Sequence, residues 1–191
     1  MQKSAKCEYG YLQYKRTCNL LKMLAGFAVI LIVLFAGILI FHTRNNYLTV
    51  VAAVLSLPAA KFAVEYFILL PHTITPRDLK AQLEEIAPDL TFCYDCIFSN
   101  NKKPIGALAV VVTDNCICAY SNEKKADSEL FETSVKQFLE NDKLHVNVTL
   151  YQEEKTFINR VKSLQANYDS SNEEHKKRVE WNKEAMKKMC L

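Results

Sequence analysis

The run Met23–Phe41 constrains this chain more than any other stretch: 19 residues with no charge and no proline. At about 1.5 Å per residue, such a helix is roughly 28 Å long, close to the hydrocarbon thickness of a bilayer. His42-Thr43-Arg44-Asn45-Asn46 interrupts it, and a second apolar segment follows, Tyr47–Leu70, which contains Pro58, Lys61 and Glu65. A backbone in lipid must pair its polar groups internally, so both segments read as helices. The short link makes them antiparallel. Residues 23–70 are therefore predicted to be a transmembrane hairpin with spans 23–41 and 47–70. The first run exceeds a signal-peptide core and lacks a small-x-small cleavage pattern after it, so it reads as a retained anchor.

Orientation follows from the flanking charge. Residues 1–22 hold Lys3, Lys6, Lys15, Arg16 and Lys22 against Glu8, whereas the link holds only Arg44. Basic flanks stay on the cytoplasmic side. The expectation is a two-pass protein of the cell membrane with both termini cytoplasmic. Tyr9, Tyr11 and Tyr14 among the lysines make residues 1–22 a tail suited to the membrane interface. Its Cys7 and Cys18 lie where palmitoylation takes place in organisms with that chemistry.

Lys61 and Glu65 stand four residues apart among apolar neighbours. That spacing suits an intrahelical ion pair, which lowers the cost of burial. Lys61 also has the option of reaching a headgroup. The functional alternative is an ion path or a contact with another membrane protein. Ala52, Ser56, Ala60 and Ala63 form a stripe of small residues that would let the first helix pack closely. At about 100° per residue the charged pair lies opposite that stripe, facing lipid, a second copy or another membrane protein.

From Thr75 onward acidic residues slightly outnumber basic ones, although the whole chain carries +3. The excess positive charge sits beside the membrane, where anionic lipid accounts for it, and no nucleic-acid partner is predicted. Seven cysteines, an odd number, favour free thiols over a disulfide framework.

The remainder reads as an α+β domain over residues 75–168. Thr75 is expected to cap a helix that starts at Pro76 and ends before Pro88. Leu90, Phe92, Tyr94, Cys96 and Phe98 alternate with Thr91, Cys93, Asp95, Ile97 and Ser99, which predicts a strand with one core face. Residues 105–112 and 116–120 complete an antiparallel meander. A helix over 126–141 then permits a right-handed crossover to a fourth strand, 144–151, parallel to the third. A helix over 153–167 follows. The sheet is thus four-stranded and mixed. Residues 169–191 end in a highly charged helix without an evident core face, read as a solvated arm or a partner-binding element.

The chemistry-bearing residues are few. Cys93-x-x-Cys96 and Cys116-x-Cys118 offer four thiolates, the donor set of a tetrahedral zinc site. In a regular strand, however, Cys93 and Cys96 point to opposite faces and share a metal only across a local turn. Reduced cysteines also serve as small core residues. No other cofactor is predicted. Asp114, Glu123 and Lys125 have the outline of a D…ExK metal-dependent nuclease site, though Asp114 equally suits a turn. His145 would share a polar sheet face with Asp95 and Cys93. No glycine-rich phosphate loop occurs.

These features favour a small membrane-tethered interaction or regulatory module that is not an enzyme. Its partners would be membrane lipid and a second copy or another membrane protein. The alternatives are a membrane-anchored enzyme with a nuclease-like or zinc/thiol site, and an accessory subunit of a transport complex.

Overall fold

The computed structural model describes residues 5–41, 47–98, 104–123, 126–168 and 172–191. The chain divides into two compact units, Met1–Leu12 with His72–Leu191, and Gln13–Pro71. Helix α1 spans Tyr11–Phe41 and helix α2 spans Tyr47–Leu69. Both are long and apolar enough to cross a membrane. The helix of α1 runs back through Lys22 and Arg16 to Tyr11, so much of the expected tail is helical; no glycine or proline interrupts residues 11–22. The link, residues 42–46, lies outside the described residues.

The two helices pack through a face rotated from the expected stripe, which keeps buried Ala52 and half-buried Ala63 of it. Ala52 and Ala59 are buried, whereas Ser56 and Ala60 are exposed. A Cβ on Gly26 would come within 3.1 Å of the Ala59 Cβ, so glycine is what permits this approach. Half-buried Leu55, Phe62 and Tyr66 extend the Ala52–Ala59 face on the side away from Ala60. That rotation carries Glu65 to the edge of the helix contact. The expectation that Glu65 points away from α1 is therefore corrected: Asn19 Nδ2 donates to Glu65 Oε2 at 3.2 Å. Lys22 Nζ sits 5.5 Å from the centroid of the Phe62 ring. Arg16 donates from Nε and Nη2 to the Leu69 carbonyl at 3.0 and 2.6 Å. It thus supplies the cation that α2 lacks in its own last turn.

The other unit is built on a sheet of order β1-β2-β3-β4, with β1 Thr91–Phe98, β2 Ile105–Val112, β3 Cys116–Tyr120 and β4 Asn147–Tyr151. The first two pairings are antiparallel and the third is parallel, as the crossover implied. The crossover helix α4, Ser128–Asn141, is capped by the Asp127 side chain, which accepts from the Leu130 N–H. Helices cover both faces. On one, Phe131, Val135 and Leu139 of α4 pack with Val179, Ala185 and Met186 of α6, Glu173–Met189. On the other, Leu79 and Leu83 of α3, Arg77–Ile86, pack with Phe157, Ile158 and Val161 of α5, Glu154–Ala166. Phe157 stacks on Tyr120 with ring centroids 5.6 Å apart.

Three expectations are corrected here. First, β1 does not keep one face: Phe92 and Tyr94 belong to the α3/α5 side, but Cys93, Cys96 and Phe98 all belong to the α4/α6 side. Asp95 is the reason. Its φ is 53°, the left-handed region, which breaks the pleat between Tyr94 and Cys96. Second, α6 is no solvated arm, because Val179, Asn182, Ala185 and Met186 are buried in the larger core. These four lie at i, i+3, i+6 and i+7, a face obscured by a polar and a small residue. Third, Thr75 does not cap α3. Its hydroxyl donates to Asp95 Oδ1 at 2.7 Å and lies 2.6 Å from the Leu108 carbonyl.

Both ends of the chain close over the open edge of β1. The Tyr94 N–H donates to the Cys7 carbonyl at 3.1 Å, and the Leu191 N–H donates to the Ile97 carbonyl at 2.9 Å. Cys190 forms an antiparallel bridge with Phe98. An uncovered edge would template pairing with another chain, and these contacts remove that risk.

Candidate functional site

The same arrangement gathers sulfur. Cys7 stands in the left-handed region at φ 67°, Cys96 follows the break at Asp95, and Cys190 caps the C-terminus of α6. The sulfurs of Cys7, Cys96 and Cys190 all lie within 4.8 Å of one another, and all three residues are buried. Cys7 Sγ and Cys190 Sγ are 3.8 Å apart, too far for a disulfide. This buried trio is a set of side chains able to hold a metal ion. Cys93, fully buried, lies in the same core on the same side of the sheet but outside this trio.

The electrostatics of the cluster are uneven. Hydrogen bonds from Cys190, Cys93 and Cys96 hold the Cys7 thiol far below the ordinary thiol range. The other three rise. Cys93 and Cys190 are pushed up chiefly by their bond to Cys7, and Cys96 by its bonds to Cys190 and Cys7, with burial adding to each. Lys6 Nζ donates to the Cys190 carbonyl at 2.8 Å, and Lys187 and Lys183 add positive potential.

The sequence grouping of Cys93 and Cys96 with Cys116 and Cys118 does not survive. Cys116 and Cys118 occupy the α5 side of the sheet. There the hydrogen bond from Cys118, helped by Thr113 and Arg160, lowers Cys116 to about 6. Cys118 is pushed up by the same bond and by burial. Cys116 is accordingly expected to be alkylated by iodoacetamide with a midpoint near pH 6, read by mass spectrometry across a pH series. Cys118→Ser should move that midpoint upward; an unchanged midpoint would remove Cys118 as the cause. The sign for stability follows. The folded thiol titrates below the unfolded one, so the contribution is complete above the unfolded value of about 8.5 and is lost as pH falls through about 6.

The nuclease outline is not assembled. Asp114 precedes β3 and Glu123 follows it; at about 3.3 Å per residue, that five-residue strand holds them on the order of 16 Å apart. Asp114 Oδ2 lies 3.8 Å from His175 Nε2, and Glu123 Oε1 lies 2.6 Å from His72 Nδ1. Lys125 lies outside the described residues. His145 is exposed ahead of β4, at the edge of the sheet opposite β1, so it does not meet Asp95 or Cys93. Asp95 is 3 % exposed and accepts from the Gly10 N–H at 2.7 Å and the Thr75 N–H at 2.9 Å. Lys61 is exposed, Glu65 is bonded to Asn19, and among the described residues no ion pair joins them within 4.0 Å.

Cys7 and Cys190 were missed as companions of Cys93 and Cys96 because no short spacing links them. They lie at opposite ends of the chain and meet only across β1. No family model, curated protein or solved structure matches this chain.

Proposed function

We propose that this chain is a two-pass membrane protein, with both termini in the cytoplasm, that tethers a non-enzymatic interaction or regulatory module to the membrane. One observation carries the reading. Among the described residues, every exposed large hydrophobic side chain except Trp181 falls between Leu21 and Leu70. In water so large an apolar surface would drive association, and lipid is the solvent that matches it. Register within the hairpin supports the orientation. Arg16, Asn19 and Lys22 face the last turns of α2, so the polar layer falls at one end, the end with the basic flank. Lys61, one residue from the Phe62 under Lys22, lies near that same boundary, where its ammonium meets anionic headgroups or an acidic group on another membrane protein.

The test uses full-length protein with a tag after Leu191 in intact cells and native membranes. The expected result is that detergent is needed for extraction and that the tag is shielded from an external protease until cells are permeabilised. On native gels the chain should migrate above the 21.9 kDa of one copy, and Lys61→Leu or Trp181→Ala should lower that mass. Release without detergent would sink the anchor, and external cleavage of the tag would sink the orientation. A lone copy in native membranes would sink the interaction role.

A further inference from the structure

We propose that Cys7, Cys93, Cys96 and Cys190 form a four-thiolate site for a thiophilic d10 cation, zinc being the ion of that class that takes four sulfurs in a tetrahedron. The spacing supports it. A metal–sulfur length of about 2.3 Å sets a tetrahedral edge of about 3.8 Å. Cys7 Sγ and Cys190 Sγ are already 3.8 Å apart, and Cys96 Sγ is within 4.8 Å of both. Cys93 lies outside this trio of mutually close sulfurs, but it is fully buried in the same core on the same side of the sheet, and a change of its rotamer toward Cys7 would supply the fourth donor.

Backbone shape points the same way. Cys93 and Cys96 share one side of the sheet across the left-handed Asp95, and the buried Cys7 is left-handed too. Such a conformation costs a non-glycine residue roughly 1–2 kcal/mol. Donors from Gly10 and Thr75 hold Asp95 in it, and the consequence is that Cys93 and Cys96 both reach the side of the sheet where Cys7 and Cys190 lie. Charge is also matched. Four thiolates around a divalent ion leave a net charge of −2, and Lys6, Lys183 and Lys187 line a cleft that reaches Cys7. The cleft is a route for the ion. All four residues are buried, so no coordination position is open to substrate, and the site is structural rather than catalytic. It would cross-link the first and last described stretches of the chain to β1.

The test starts with elemental analysis of full-length protein purified in detergent under reducing conditions, with no metal added. About one zinc per chain is expected. Cys96→Ser and Cys190→Ser should lose it, while Cys116→Ser and Cys118→Ser should keep it. Should the first pair fail to fold, the wild-type protein decides. Alkylation before and after chelation, mapped by mass spectrometry, should show Cys7, Cys93, Cys96 and Cys190 becoming reactive together, with Cys116 unchanged. Cobalt exchanged into the site should give the intense thiolate charge-transfer absorption of a tetrahedral sulfur set. The proposal is overturned by metal-free folded protein, by zinc retained in Cys96→Ser, by copper bound through three sulfurs, or by a Cys7–Cys190 disulfide in its place.

Discussion

Asp95→Ala is expected to destabilise the α+β unit by about 3–5 kcal/mol, among the larger losses available to one substitution. The carboxylate is almost fully buried and is the meeting point of three donors, the Gly10 N–H, the Thr75 N–H and the Thr75 hydroxyl. Two of these come from the stretch that follows the hairpin and one from the stretch that precedes it. Truncation strands the two N–H donors, while the Thr75 hydroxyl keeps the Leu108 carbonyl 2.6 Å away, and a buried donor without a partner costs about 1–3 kcal/mol. Alanine must also adopt φ 53°, which aspartate tolerates better. Asp95→Asn keeps the shape and the left-handed preference while losing the charge, so it should fall about midway. Thermal unfolding of the detergent-solubilised full chain, followed by circular dichroism, reads both. At about 4 °C per kcal/mol for a domain of this size, the alanine variant should melt on the order of 15 °C lower. An unchanged melting temperature would mean that the two N–H donors find other acceptors.

Met186→Asp should cost about 4 kcal/mol or more, enough to leave the α+β unit largely unfolded at moderate temperature. Met186 has no exposed surface and lies with Val179 and Ala185 in the core that α4 shares. Asn182 beside it is 1 % exposed, donating to the Thr113 carbonyl at 2.8 Å and lying 3.2 Å from the Asp114 carbonyl. Helix α6 is thereby held at the β2–β3 turn by hydrogen bonds and on the sheet by apolar contact. An aspartate in that position carries an unpaired charge into an apolar core. Glu180→Ala, on the exposed side of the same helix, is expected to stay within about 0.5 kcal/mol of the parent. Urea denaturation of both variants separates the two accounts of α6: equal, small effects would restore the solvated arm that the charge pattern alone implies.

That contrast shows where reading the chain in order falls short. A charged final helix within residues 169–191 is visible in the sequence, but its Asn172 cap and the face that docks are not. It is marked by an asparagine and an alanine, and neither registers as apolar in a pattern search. β1 fails differently. Its alternation is sound up to Tyr94, and one left-handed residue then exchanges the faces of everything after it. Nothing in the letters around Asp95 announces this, because what holds φ 53° is a set of donors from Gly10 and Thr75, distant along the chain.

Amino-acid order alone determined the two apolar helices, the basic flank before them, and a sheet of three meandering strands with a fourth added in parallel through a helix. These are local properties, written in runs, periods and breaks, and they need no knowledge of what lies across the fold. Only the tertiary structure decided which face joins α1 to α2, that α6 belongs to the core, and that sulfurs from both ends of the chain converge beside β1. Each of those depends on contacts between residues far apart in sequence, where packing and buried hydrogen bonds outweigh local pattern.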